Sequence, residues 1–108
     1  MEIRMVENMR GGNGTVEILD ILGKEQLNDK CRLYAKVTLK PGCSIGYHEH
    51  KKESETYYIL SGEGVYDDNG TCRSVKAGDM TFTPDGKGHG IANEGTEDLV
   101  LMALILLD

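Results

Sequence analysis

Every histidine in this 108-residue chain belongs, with one glutamate, to a spacing that suits a metal ion: His48 and His50 lie two apart, Glu55 follows five later, and His89 arrives after a second glycine-punctuated segment. Alternate side chains of a β-strand share a face, so His48 and His50 point to the same side. Glu55 returns to that side after the turn suggested by Glu49-His50-Lys51-Lys52-Glu53. His89 must come from a strand distant in sequence but folded against the first, which requires a closed or sandwich-like all-β architecture. Three imidazoles and a carboxylate suit one divalent transition metal ion. Imidazole favours Zn, Fe, Ni or Cu, and the carboxylate extends the range to Mn. Such a set leaves positions open to water or substrate, which is the mark of a catalytic rather than a closed structural site. Taken singly, strand histidines are usually surface or satisfied core residues, and Glu55 beside Glu53 and Ser54 reads as a solvated edge. The joint spacing carries the metal reading.

The elements that must position these residues are short β-prone runs separated by glycine and asparagine turns. Residues 1–14 form an N-terminal extension or strand containing Gly11-Gly12-Asn13-Gly14, and a first clear run spans residues 15–22. Residues 23–29 are polar and predict a loop or a single helical turn. From Arg32 to Lys40 the chain alternates, with Leu33, Ala35, Val37 and Leu39 on one face and Arg32, Tyr34, Lys36 and Thr38 on the other, the polar face of Arg32, Tyr34 and Lys36 either meeting solvent or lining a wide barrel interior. Pro41-Gly42 closes that strand with a turn. Further runs follow at 55–60, 64–67, 71–75, 79–83, 88–92 and 98–107. Asp68-Asn69-Gly70 is a hairpin turn, because Asn-Gly tolerates the positive φ angles that a tight turn demands. Many short strands without a sustained helical period predict an antiparallel sandwich or barrel.

The two ligand segments read Gly42-x5-His48-x-His50-x4-Glu55-x6-Gly62 and Gly78-x5-Pro84-x-Gly86-x2-His89-x3-Asn93. Together they match all ten fixed positions of the paired signature of the cupin superfamily, which this chain resembles from about Thr15 onward. The resemblance implies an all-β, antiparallel jelly-roll β-barrel forming one domain over residues 1–108. The spacer between the segments, residues 63–77, is short and resembles that of compact microbial single-domain cupins, not that of the two-domain seed-storage or oxalate-degrading types.

Composition bounds the function. A chain of this length forms one domain with a single core. Its net charge of −6, with no basic run longer than Lys51-Lys52, opposes nucleic-acid binding. The N-terminus has no apolar core resembling a signal peptide, and the longest apolar stretch, residues 99–107, is about half of what a membrane-spanning helix needs. A cytoplasmic protein with no membrane partner is expected. Cys31, Cys43 and Cys72 are odd in number and lack CxxC spacing, which argues against a disulfide framework. Cys43, five residues before His48, is either a small hydrophobe at a turn or a neighbour of the metal. Residues 99–107 are apolar on both faces, so a second layer is expected over the outward face. A second copy of the chain, giving a homodimer, is the expected layer, and the N-terminal segment of the same chain is the alternative.

Parity from Glu55 places Tyr57, Ile59 and Ser61 on the ligand face and Thr56, Tyr58 and Leu60 opposite. Tyr57 is therefore the candidate catalytic residue, a phenolic donor beside the metal, with an aromatic core residue as its other reading. One of the pairs Met80/Phe82 and Thr81/Thr83 walls the pocket. Tyr47 points away from the site. No nucleophile elbow, P-loop or dinucleotide fingerprint occurs. The leading functional reading is a metal-dependent enzyme acting on a small organic acid, sugar derivative or aromatic diol. The resemblance implies a choice among dioxygenase, decarboxylase and isomerase chemistry, the oxalate-decarboxylase version being disfavoured because it implies a second domain and a lid glutamate that the sequence does not offer. The rival is a non-catalytic metal-dependent module that binds a small-molecule ligand, and a third reading gives the ion a purely structural role.

Overall fold

A computed structural model describes residues 2–108; Met1 lies outside the described residues. Ten strands follow one another: β1 (Ile3–Glu7), β2 (Thr15–Asp20), β3 (Cys31–Leu39), β4 (Ser44–Glu49), β5 (Glu53–Ser61), β6 (Glu63–Asp68), β7 (Thr71–Lys76), β8 (Met80–Thr83), β9 (Gly88–Ala92) and β10 (Leu99–Leu107). A tight 3-10 turn at Met9–Gly11 joins β1 to β2. The polar stretch after β2 folds into one helical turn, α1 (Lys24–Leu27), whose Gln26 side chain accepts from the Gly23 backbone N at 2.9 Å.

The strands form two antiparallel sheets, a six-stranded one in the order β1-β2-β3-β10-β5-β8 and a four-stranded one in the order β4-β9-β6-β7. The jelly roll thus takes the form of a sandwich rather than a continuously hydrogen-bonded barrel. Strands β3 and β10 show how alternation produces this. Ala35, Val37 and Leu39 of β3 and Leu99, Leu101, Ala103 and Ile105 of β10 are buried between the sheets, because residues of one parity share one face of the pleat. Removing these aliphatic side chains from water supplies the main drive for closing the sandwich. The β6–β7 hairpin turns through Asn69 (φ 52°) and Gly70 (φ 100°), with Gly70 N donating to Asp67 Oδ1 at 2.8 Å. Two successive positive φ angles are what a tight two-residue hairpin requires.

Three expectations are settled by register. Thr81 and Thr83 face the interior, whereas Met80 and Phe82 face outward at 58% and 49% exposure. Tyr34 and Lys36 lie on the outer face, but Arg32 departs from strict alternation. Ile105 pairs with Leu33 and Leu106 with Cys31, so a bulge makes Arg32 the extra residue and turns its guanidinium to buried Glu53. The N-terminal segment does not cover β10. It forms edge strand β1 beside β2, with Ile3 opposite Leu19 and Glu7 opposite Thr15. The outward face of β10 is only half-buried.

Candidate metal centre

The four singled-out side chains converge between the sheets. His48, on β4, stands opposite His89, on β9, in the four-stranded sheet. His50 follows directly after β4, and its backbone is held by exchange with the 84–87 turn: His50 N donates to Lys87 O at 3.0 Å and Gly86 N to His50 O at 2.8 Å. Glu55 faces these rings from β5 in the six-stranded sheet. Its Oε1 lies 2.9 Å from His89 Nε2, 3.0 Å from His50 Nε2 and 3.9 Å from His48 Nε2. One donor atom from each residue falls within a 4.8 Å group. His50, Glu55 and His89 are at most 4% exposed.

The outer nitrogens decide which atoms face inward. His48 Nδ1 donates to Gly46 O at 2.8 Å, which leaves its Nε2 as a lone pair. His50 Nδ1 donates to Glu53 Oε2 at 2.5 Å, with the same result. His89 Nδ1 lies 2.8 Å from Tyr66 Oη, which also contacts Thr83 Oγ1 at 2.9 Å. When Nδ1 donates to the phenol and the phenol donates to Thr83, His89 Nε2 is also a lone pair. Three lone pairs and a carboxylate then meet in a buried space with no proton among them, His50 Nε2 and His89 Nε2 being only 3.1 Å apart. Such a collection of acceptors could hold a cation, and outer partners that fix imidazole tautomers are typical of metal sites. The donor set therefore fits a divalent transition ion.

Charge follows the same geometry. Burial pushes the Glu55 carboxyl up, but the three imidazoles outweigh it and hold the group well below the usual carboxylate range. Bonding to Glu55 raises His50, with Glu53 adding to the effect. Desolvation lowers His89. The bidentate pairing of Arg32 with Glu53, at 2.8 and 2.7 Å, lowers Glu53. An Arg32–Glu53–His50 chain thus runs from the surface to the cluster.

Tyr57 is 2% exposed and stacks on His89, with ring centroids 4.9 Å apart and a 24° interplanar angle. Desolvation, with the nearby Glu55 charge, raises its pKa well above the ordinary value, while the charge of Arg10 acts in the opposite sense. At neutral pH Tyr57 is a neutral phenol, a hydrogen-bond donor and not a base. A cavity of about 400 Å³ opens in front of the cluster, lined by His48, His50, Glu55 and Tyr57 and by Arg4, Arg10 and Arg32. A smaller depression of about 290 Å³ lies over β6 and β7, beside Glu63, Ser74, Lys76 and Asp79, away from the histidines. Tyr47 is 47% exposed and outside the site. Cys43 packs beside Gly14 and the core and does not join the cluster, in keeping with its reading as a small hydrophobe.

Sequence reasoning missed Glu53 and Tyr66 and left the direction of Arg32 open. Glu53 shares strand parity with Glu55 and Tyr57, a signal that was available. Arg32 reaches the site only through a bulge, and Tyr66 only because β6 lies beside β9, with Tyr66 opposite Ile91.

Comparison with known proteins agrees with this architecture. The chain is 50% identical over 102 residues to a protein of Thermotoga maritima named oxalate-binding protein, a match covering 94% of this chain and 84% of the relative. It is 33% identical over 75 residues to the oxalate decarboxylase OxdC of Bacillus subtilis, covering 65% of this chain but 20% of that protein. A crystal structure described as a predicted oxalate decarboxylase from Thermotoga maritima superposes with a TM-score of 0.97 at 47% identity, covering 100% of this chain and 94% of the other. The family model for the cupin domain matches residues 35–105, the stretch that holds all four clustered side chains, and the chain accordingly belongs to the cupin domain family.

Proposed function

We propose that this protein binds a small carboxylate through a divalent metal ion held by His48, His50, Glu55 and His89, with oxalate as the first candidate ligand. The observation that carries the reading is the meeting of three imidazole lone pairs and one carboxylate at the inner end of an open cavity. The 50% identity to an oxalate-binding protein supports the choice of ligand. Fe, Mn, Ni and Zn all suit the donor set. The bound ion would supply a Lewis-acidic centre with positions left for the ligand. The chain's own residues orient the rings through Gly46, Glu53 and Tyr66, and apolar Val6, Ile18 and Ile105 limit water at the cavity wall.

The test is elemental analysis of untagged protein beside a His50→Ala variant, followed by calorimetric titration with oxalate. One ion per chain that is lost in the variant, and oxalate binding that needs the ion, are the expected results. Metal-free protein that binds oxalate as well as loaded protein would overturn the reading.

A second reading, metal-dependent turnover of the bound acid by decarboxylase, dioxygenase or isomerase chemistry, is favoured by Tyr57, a neutral phenol lining the same cavity. A Tyr57→Phe variant that keeps metal and ligand but loses turnover is its expected signature. No turnover by the loaded wild-type protein with any small carboxylate would leave binding as the function.

A homodimer is the proposed assembly. The outer face of the six-stranded sheet exposes Ile3, Met5, Tyr58, Met80 and Phe82 around half-buried Met102 and Leu104, a large apolar patch for a monomer to leave in water. A second copy is the proposed cover, and sedimentation as a single 11.9 kDa species at micromolar concentration would exclude it. No helix among the described residues is long and apolar enough to cross a membrane. Three free cysteines support the proposed cytoplasmic location.

A further inference from the structure

The cavity in front of the cluster is built only in part from the stretch that matches the family model. Arg4, Val6, Glu7, Asn8, Met9 and Arg10 close it from the N-terminal side, outside residues 35–105. Two of its three arginines already have partners. Arg4 pairs with Asp20 at 2.7 and 3.1 Å, and Arg32 pairs with Glu53. Arg10 makes no ion pair among the described residues.

The backbone of Arg10 is unusual as well. Its φ of 54° and ψ of 33° are left-handed, a region that glycine and asparagine enter readily and arginine does not. The surrounding loop enforces it. Asn8 N donates to Gly14 O and Gly12 N to Met9 O, at 2.8 and 2.9 Å, while Ser44 N donates to Asn13 O at 2.8 Å and Asn13 Nδ2 to Gly42 O at 2.8 Å. The Arg10 carbonyl presses so closely on β4 that a Cβ at Gly46 would lie 2.0 Å from its oxygen. Gly46 O is in turn the acceptor that orients His48. The strand segment that aims one imidazole into the cavity thus also seats the loop that brings an unpaired guanidinium to its wall. Persistent strain in a loop at a site mouth is expected where the side chain has work to do.

We propose that Arg10 is the ligand-reading residue of this site: its guanidinium receives one carboxylate of a small dicarboxylate whose other end lies at the His48/His50/Glu55/His89 cluster. The proposal rests on the carboxylate-binding reading above and assigns its specificity to the 8–12 loop. A guanidinium suits the task because its planar donor pair matches both oxygens of a carboxylate. A local cation also offsets the repulsion that a chain of net charge −6 presents to a dianion.

The experiment is calorimetric titration of Mn2+-loaded protein with oxalate and, separately, with formate. Arg10→Gly and Arg10→Asn both suit the left-handed backbone, so the loop is kept while the charge is lost. Arg10→Lys keeps the charge without the planar fork, and Lys40→Gln is a charge-matched control away from the cavity. Expected are unchanged metal stoichiometry in every protein and a roughly tenfold weaker oxalate affinity in the glycine and asparagine variants. Arg10→Lys should fall between them and the wild type, Lys40→Gln should match the wild type, and formate should be nearly indifferent to residue 10. Wild-type affinity in Arg10→Gly, or an equal loss for formate and oxalate, overturns the assignment while leaving metal-dependent carboxylate binding intact. A wild-type protein that loads metal but takes up no oxalate overturns both.

Discussion

Replacing Glu53 tests the outer support of the cluster. Glu53 is 8% exposed, and its Oε2 accepts from both His50 Nδ1, at 2.5 Å, and Arg32, at 2.7 Å, while Oε1 accepts from Arg32 Nε at 2.8 Å. In Glu53→Gln the amide oxygen can stay opposite His50, but the NH2 group then meets the Arg32 Nε–H, donor against donor. His50 keeps an acceptor and loses its charge; Arg32, whose side chain is 47% exposed, swings into water at little cost. In Glu53→Ala the His50 Nδ1–H is buried without a partner, which costs about 1–3 kcal/mol, and the ring is free to take the other tautomer with Nε2 protonated. Partners of this kind are worth roughly 10–100-fold in metal affinity, or about 1.4–2.7 kcal/mol. The glutamine variant should fall at the low end of that range and the alanine variant at the high end. Competition of each protein with a chromophoric chelator for Zn2+ measures this directly. An alanine variant that binds Zn2+ within a factor of two of wild type would refute the claim that Glu53 sets the state of His50.

Three further outcomes are expected. Tyr66→Phe removes the phenol 2.8 Å from His89 Nδ1, leaving a fully buried ring nitrogen unpartnered; thermal unfolding should show a loss of about 1–3 kcal/mol, and an unchanged midpoint would contradict the Tyr66–His89 hydrogen bond. Gly46→Ala drives a Cβ against the Arg10 carbonyl, so urea unfolding should report roughly 1–3 kcal/mol of destabilisation, accompanied by weaker oxalate binding. Metal affinity should fall as pH drops from 8 to 5. The raised pKa of His50 means that protons begin to compete above the ordinary value of 6.5, the lowered pKa of His89 means that its proton enters later, and Glu55 stays ionised throughout. A flat chelator titration over this range would contradict ligation by three imidazoles.

Much of the architecture was legible because it is written in two local codes. Strand alternation depends only on neighbouring residues, so the division of β3 into two faces and the sharing of a face by Glu55, Tyr57 and Ile59 followed from parity alone. The Asn69-Gly70 hairpin followed from the φ angles those residues tolerate. The convergence of His48, His50, Glu55 and His89 was legible as well, since a spacing that puts alternate ligands on one face constrains where the distant histidine must fold.

What parity could not reach was decided by contacts between strands far apart in the chain. The bulge opposite Leu106 turns Arg32 to Glu53, and no feature of residues 31–33 alone specifies where a partner strand will slip. Tyr66 becomes the partner of His89 because β6 and β9 are neighbours in the four-stranded sheet. Arg10 arrives at the cavity because two glycines, Gly12 and Gly46, allow a loop to lie directly on β4. The sequence by itself determined which side chains share a strand face and which types could hold a cation, since both follow from residue chemistry and a period of two. The tertiary structure alone decided the tautomers, the outer hydrogen-bond partners and the cations at the cavity wall, because each depends on distances of about 3 Å between segments that only the completed sheet packing brings together.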